Sequence, residues 1–559
     1  MVLRGTERFR EGVPVQSGTM QNRWKNSESV LFLLLILIHL IPLWSFRYFP
    51  SQDGPAHLEN AMILKEYHNP ESTALREYYV LNPHPSPNWF GHLILAGLMS
   101  LFPILIAEKI FLSGYIILFP LAVRYALRSI RPDAGFLAVL SFPFIYSYPL
   151  HMGFYYFCYS LVIWIFLIGY WLRHRTRLTA ARTLMLCLLW LLLYFTHLVS
   201  LVMAWLALLP LSLWLARAQA IQGPQGPSLR LYLRTLAGEL IRPLAASLPA
   251  LVLVLVFFQA AGVKTGYSRP AADVAGWLLK LGALVSYDNR EVWLSTALAG
   301  FLLLTGAYAL TRRRDCRPNA AGAAFFMVFG VYLVLFFLAP RQMSGGSIII
   351  PRLALYPYLA LILGLGTCAW RGVFRRGIVV VAVILSISML GLHTARYGEL
   401  NDYLEEYLSG MDRIEDNTTL APLCFSQRGH SPDGRELSIR VKCFVHAAGY
   451  IAAEKHLVEF TNYEANTKFF PVAFRPDVNP YKTMGMLEHE PPRLHPARLR
   501  GTADYMLVWN VRPDQRESLS TQSIFCQLEE GYDLIFTSPQ RGLMQLYRRK
   551  GAGSRGERS

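Results

Sequence analysis

Charge is what this chain has least of. Asp, Glu, Lys and Arg make up 16% of its 559 residues, against roughly a quarter in an ordinary soluble domain. Hydrophobic residues make up 53%, which excludes a purely soluble protein. Acids are the scarcer sign, 37 against 54 Lys and Arg, and leave a net charge of +17. The arginines sit in short loops between apolar runs and form no basic patch interleaved with aromatics, so they set orientation in a membrane and give no reason to invoke a nucleic-acid partner. There is no Walker loop, no Gly-X-Ser-X-Gly and no Cys or His cluster at zinc spacing. Energy for any reaction must therefore be stored in the substrate. No internal repeat of fixed period is present, which counts against an inverted-repeat transporter. The seven cysteines are odd in number, which argues against a disulfide-framed fold. One bridge among Cys424, Cys443 and Cys526 is allowed if their region faces an oxidising compartment.

What is present is a series of apolar runs near the ~20 residues that cross a hydrocarbon core. Eleven are expected to span, near 30–47, 106–123, 134–150, 153–172, 183–199, 200–216, 243–262, 291–310, 321–339, 352–370 and 377–394. Arg4, Arg8, Arg10, Arg23 and Lys25 precede the first, and no small-residue cleavage site follows it, so it reads as an uncleaved helix. Arginines mark alternate loops: Arg124 to Arg131, Arg173 to Arg182, Arg217 to Arg242, Arg312 to Arg317 and Arg371 to Arg376. Those loops and the N-terminus are expected to be cytoplasmic. Counting 88–102 as a crossing would put Arg124 to Arg131 on the wrong side, so that run is read as a re-entrant or interfacial helix, and 271–287 as a second half-buried segment. Counting both as full spans gives a thirteen-helix alternative.

The expected fold class is thus an α-helical polytopic membrane protein of about 11–13 transmembrane helices with a small C-terminal α/β extracytoplasmic domain. Its parts are a cytoplasmic N-terminus (1–29), a transmembrane domain (30–394) with its first outer loop at 47–105, the outer domain (395–550) and a disordered tail (551–559). Within the outer domain "ELNDYLEEYLSGM" predicts a helix, "ADYMLVWN" a strand, and "YDLIFTSPQRGLMQLYRR" a hairpin. Asn417 opens an "NTT" triplet of the glycosylation type, which is common by chance.

The first outer loop opens with "SQDGPAHLEN". Gly54 and Pro55 predict a helix start, with proline where its missing N–H costs nothing. Asp53 then stands where a helix dipole favours an acid. A carboxylate this close to the bilayer is also costly, and His57 and Asn60 follow on one helical face, so a cavity-lip general base is the competing reading. Glu108 and Lys109, in "LFPILIAEKIFLSGY", fall near the outer surface as an interfacial ion pair or a binding pair. "YSYPLHMGFYYFCYS" reads largely as an aromatic belt, yet a turn needs no histidine, and His151, Tyr155 and Tyr156 could contact a sugar. His197 is read as structural. In "APRQMSGGSIIIPRLALYPY", Arg341 and Arg352 lie on the side where orientation does not require arginine, and guanidinium groups bind phosphate in bidentate fashion beside an approachable Gly345-Gly346 backbone. Snorkelling to lipid headgroups is the alternative. Asp288 and Arg290 are either a local salt bridge or part of the same site.

A first span, an outer loop opening on the Asp53-Gly54 motif, many further spans and a soluble outer C-terminal domain resemble the GT-C superfamily of membrane glycosyltransferases. Within it the likeness is to the aminoarabinose transferases, the protein O-mannosyltransferases and the RgtA/B/C/D-like group. It covers the whole chain in architecture but only the Asp53 motif locally. The resemblance implies transfer of a sugar from a polyprenyl-phosphate-linked donor to a lipid, glycan or protein acceptor at the outer face of the cytoplasmic membrane. Asp53 would be the general base with His57 shaping or assisting it, and Glu108, Lys109, His151, Tyr155, Tyr156, Arg341 and Arg352 would bind substrate. The first loop lacks the Asp-X-Asp of metal-using members, so no metal ligand is assigned. No cofactor is required, and a divalent ion is left open. Membrane lipids are the other expected partner. The alternative function is a lipid-linked sugar flippase or transporter, which would want ionisable groups deep within its spans.

Overall fold

The structure is a computed structural model that describes residues 17–221, 228–261, 271–311, 320–340, 348–467, 469–488, 491, 498–499 and 501–551. It is a mostly helical membrane protein with a small C-terminal sheet domain. Among the described residues, seven helices are long and apolar enough to cross a bilayer: Ser27–Ser45, Ile104–Ile130, Tyr155–Arg177, Leu198–Ile221, Leu229–Gln259, Arg290–Thr311 and Gly372–Arg413. Four more of the eleven expected crossings are shorter apolar helices, Ala134–Phe144, Ala180–Thr196, Ala323–Leu338 and Ile349–Leu365. Ala134–Phe144 winds as a 3-10 helix with Pro143 inside it, and all of its residues are buried. Its rise of ~2 Å per residue carries it about 22 Å despite its shortness. Irregular backbone is tolerable at such a depth because protein, not lipid, surrounds it.

The two runs set aside as partial crossings are short. Trp89–Met99 is a helix of 11 residues and Ala271–Leu279 one of 9, neither long enough for a crossing. The segment "ELNDYLEEYLSGM" is helical, but it is not a separate element. It continues the last membrane helix, Gly372–Tyr407, without interruption over 36 residues, so the expected boundary at 394/395 falls inside one rod.

The C-terminal domain is a five-stranded mixed sheet in the order Val458–Glu459, Thr419–Cys424, Tyr505–Trp509, Met544–Arg549, Tyr532–Thr537. The first three strands run parallel and the last two antiparallel. The Tyr532–Thr537 and Met544–Arg549 strands form the hairpin anticipated around Ser-Pro-Gln-Arg-Gly. Thr419–Cys424 and Tyr505–Trp509 are buried along their whole length, as central strands with apolar side chains on both faces must be. Cys424, Cys443 and Cys526 are all free, so the bridge allowed among them is not formed.

This domain is fused to the first loop. Tyr79–Leu81 pairs antiparallel with Val472–Phe474, in the register Tyr79 to Phe474. Asn60 donates from Nδ2 to Asn462 Oδ1 at 3.0 Å, and the Asn417 side chain accepts from the Ala74 N–H at 2.8 Å. A Cβ on Gly449, in the Ala448–Lys455 helix, would lie 2.6 Å from the Pro55 carbonyl oxygen. Only glycine lets the two helices touch there.

Candidate active site

Gly54–Glu66 forms a helix with Pro55 in its first turn and Asp53 at its N-cap, as the motif predicts. The Asp53 side chain makes no capping bond. It is buried and turned toward other partners: Gln52 donates to its Oδ1 at 3.0 Å, and His446 Nε2 stands 3.7 Å from the same oxygen. Burial pushes the Asp53 carboxyl up to about 6, against the pull of the Gln52 hydrogen bond and the nearby His57.

The turn after Tyr148–His151 holds this residue in place. Gln52 and Asp53 donate their N–H groups to the carbonyls of His151 and Met152 at 3.0 and 3.2 Å. Gly153, at φ +80°, lies so close that a Cβ there would meet the Asp53 backbone nitrogen at 2.6 Å. The first loop and the aromatic turn, separated by about a hundred residues, are therefore one piece of backbone at the site.

Asp53 faces a cavity of about 850 Å³, ample for a sugar and a phosphate group. His57, Tyr156, Arg352, Arg440, Lys442 and His446 share that cavity with it. Arg352 lies over the Phe154 ring, 4.0 Å from its centroid, and Arg440 over Trp277 at 4.4 Å. Such stacking fixes the planes of both guanidinium groups. The membrane helices contribute an apolar wall, with Leu198, Val202, Leu206, Val254, Phe257 and Leu338, while Asn88, Asn466, Thr467 and Glu488 add polar groups elsewhere. The cavity therefore gathers several cations and two buried acids, Asp53 and Glu488, and one side of it is hydrocarbon.

Of the residues singled out from the sequence, Asp53, His57, Tyr156 and Arg352 line this cavity, and so does His197. Glu108, Lys109, His151 and Tyr155 are not part of its lining. Tyr155 donates to Glu108 Oε1 at 2.8 Å, and Tyr450 donates to the other carboxylate oxygen at 3.3 Å, a buried brace behind the wall. Lys109 donates to the Phe46 carbonyl at 2.6 Å instead of pairing across the surface with Glu108. His151 joins Ser286 and Tyr397 by its two ring nitrogens. Arg341, with Gly345 and Gly346, lies outside the described residues. Asp288 forms ion pairs with Arg290 and Arg396 at 2.8 and 2.6 Å and is not in the lining. It is a local bridge.

Sequence reasoning missed Arg440, Lys442, His446 and Tyr463, which the C-terminal domain contributes. The available signal was a run of polar residues inside strongly apolar segments, "IRVKCFVHAAGY" and "FTNYEAN", in a region otherwise read only for secondary structure.

No protein-family model matches the chain, and no curated protein does. Among solved structures it is similar to the oligosaccharyltransferase of Archaeoglobus fulgidus. The apo form of that enzyme aligns with a TM-score of 0.40 and 11% identity over 77% of this chain and 64% of that one. The form tethered by a disulfide to an acceptor peptide containing the NVT sequon aligns with a TM-score of 0.42 and 11% identity, covering 94% and 74%. The AglB complex with an inhibitory peptide and a dolichol-phosphate gives 0.42 and 10% over the same shares. The chain thus spans just under two thirds of the apo enzyme's length.

Proposed function

We propose that the protein is a membrane glycosyltransferase that moves a sugar from a polyprenyl-phosphate-linked donor to an acceptor hydroxyl at the outer face of the cytoplasmic membrane. One juxtaposition supports the reading: a buried carboxylate and three cationic side chains, Arg352, Arg440 and Lys442, line a single cavity whose other wall is hydrocarbon. A prenyl tail suits that wall, and a phosphate suits the cations.

In this reading the acceptor oxygen attacks the anomeric carbon and the bond from that carbon to the phosphate oxygen breaks. The electron pair leaves with the phosphate, and the hydroxyl proton passes to Asp53. Negative charge grows on the departing phosphate, where fixed cations in a water-poor site stabilise it most. His446, 3.7 Å from Asp53, orients the base, and Tyr156 and Tyr463 offer aromatic faces to the sugar. Glu108 and Tyr155 act behind the wall by bracing it. Most buried ionisable groups lie in loops, first helical turns or the C-terminal domain and not along the spans, so the flippase or transporter alternative is not favoured.

The test is transfer by purified protein from a panel of polyprenyl-phosphate sugars to lipid, glycan and peptide acceptors. Asp53→Asn is expected to fold normally and to lose about 10²–10⁴-fold in turnover, the usual contribution of a positioned base. Equal rates for the two proteins would remove Asp53 from the chemistry. Failure of the unaltered protein on every donor would remove the donor class.

A further inference from the structure

At the edge of the cavity, where His57 reaches its lining, three side chains from three separate segments meet in a buried spot. His57 belongs to the Gly54–Glu66 helix, His92 to the Trp89–Met99 helix, and Glu464 to the C-terminal domain. All three are buried, His92 and Glu464 completely. His57 Nδ1 stands 2.6 Å from Glu464 Oε1, and His92 Nε2 stands 2.8 Å from Oε2. One ligating atom from each residue lies within 4.8 Å of the other two.

The far sides of both rings decide what faces Glu464. His57 Nε2 is 2.7 Å from the Gly153 carbonyl oxygen, and His92 Nδ1 is 3.0 Å from that of Asn88. A carbonyl only accepts, so each of these nitrogens carries the hydrogen. In a neutral ring the other nitrogen then presents a lone pair to the carboxylate. A bare carboxylate facing two lone pairs in a dry pocket is untenable without positive charge between them. At His57 the Nδ1–Glu464 Oε1 pair, 2.6 Å apart, falls short of hydrogen-bond alignment. Imidazoles whose second nitrogen donates to a backbone carbonyl are the usual outer arrangement of metal-bound histidine. The Tyr156 ring packs on both imidazoles, with centroids 4.4 and 4.8 Å away, and closes the spot.

We propose that His57, His92 and Glu464 bind a divalent transition-metal ion of the zinc class. Two imidazoles and one carboxylate are a donor set for zinc and its neighbours, whereas magnesium and calcium take oxygen ligands. The ion ties both helices of the first loop to the C-terminal domain and holds His57 one helical turn from Asp53. It is a fastening and not a participant in glycosyl transfer, so the inference stands whether or not the proposed reaction is correct.

The experiment uses the full-length protein in detergent with its affinity tag removed, stripped with EDTA, re-equilibrated with Zn²⁺ and desalted. About one zinc per chain should remain, and the zinc K-edge absorption spectrum should show two imidazoles in a shell of nitrogen and oxygen only. Retention below about a tenth of an ion per chain, or a shell with fewer than two imidazoles, overturns the assignment. Glu464→Gln and His92→Gln should each weaken zinc retention at least roughly tenfold, while His446→Gln, on the cavity side, should keep it. Unchanged retention in Glu464→Gln overturns the proposal as well. If the variants do not fold, the spectrum of the unaltered protein decides alone.

Discussion

The two walls of the cavity are built from different stretches of chain and by different rules. The membrane-side wall is contributed by helices, with Val202, Leu206, Val254 and Phe257 presenting nothing but hydrocarbon. The opposite wall is assembled from the first loop and the C-terminal domain, and its polar groups find partners across enormous sequence separations, as Asn60 does with Asn462 and His92 with Glu464. Grease can line a cavity with loose specification, since neighbouring apolar side chains substitute for one another at small cost. Buried acids and cations cannot, because each needs a defined partner. The contrast teaches that this cavity suits an amphiphile, held loosely by its tail and tightly by its head.

Four changes break or sharpen that contrast. The largest effect is expected at the charged end: Arg352→Gln should lower turnover by about 10²–10³-fold, the scale of losing one donor to developing charge, and steady-state rates at saturating donor check it. Next is Gly449→Val, which inserts carbon against the Pro55 backbone and should destabilise the docking of the C-terminal domain by ~1–3 kcal/mol. Thermal unfolding that matches the unaltered protein would show that the two helices can part without cost. On the apolar wall, Phe257→Ala should raise KM for long-chain donors roughly tenfold while leaving kcat nearly constant, the signature of binding lost equally from ground and transition states. A matching penalty on a donor with a very short prenyl chain would place the tail elsewhere.

The smallest expected effect concerns Glu459, buried beside the first loop. Burial holds its carboxyl up at about 8, in spite of the Thr461 hydrogen bonds that favour the charged form. Between its ordinary value of 4.5 and about 8, the folded chain therefore binds more protons than the unfolded one, and stability falls as pH rises through that window. Glu459→Gln stays neutral throughout, so its melting temperature should decline less, by several degrees, from about pH 5 to about pH 8. An unchanged slope would assign the dependence to other groups.

Much of the membrane bundle was legible because apolar runs of helical length are a strong signal. Each of the eleven expected crossings meets a helix, and the two doubtful runs proved too short to cross. The hairpin at 532–549 was equally readable from its alternation and its turn residues. The site was legible only in part. Arg352 carries a local anomaly, an arginine where topology does not call for one, whereas the acid at Asp53 suits a helix start and is marked only by its closeness to the bilayer. Lys442, His446 and Glu464 stand out only as polar residues in apolar segments, and nothing local says that they meet the first loop, since that depends on a fold that brings positions nearly four hundred residues apart into contact. The same separation hides the His57, His92 and Glu464 cluster from any search by spacing. The boundary placed at 394/395 missed for a different reason: composition changes there, but nothing stops a helix.

That uninterrupted rod has a mechanical consequence. Thirty-six residues extend about 54 Å at 1.5 Å each, well beyond the ~30 Å hydrocarbon slab. With no swivel where the rod leaves the lipid, the C-terminal domain is carried like a lamp on a rigid post. A thicker or thinner bilayer changes the tilt of the post, and with it the height at which the lamp hangs.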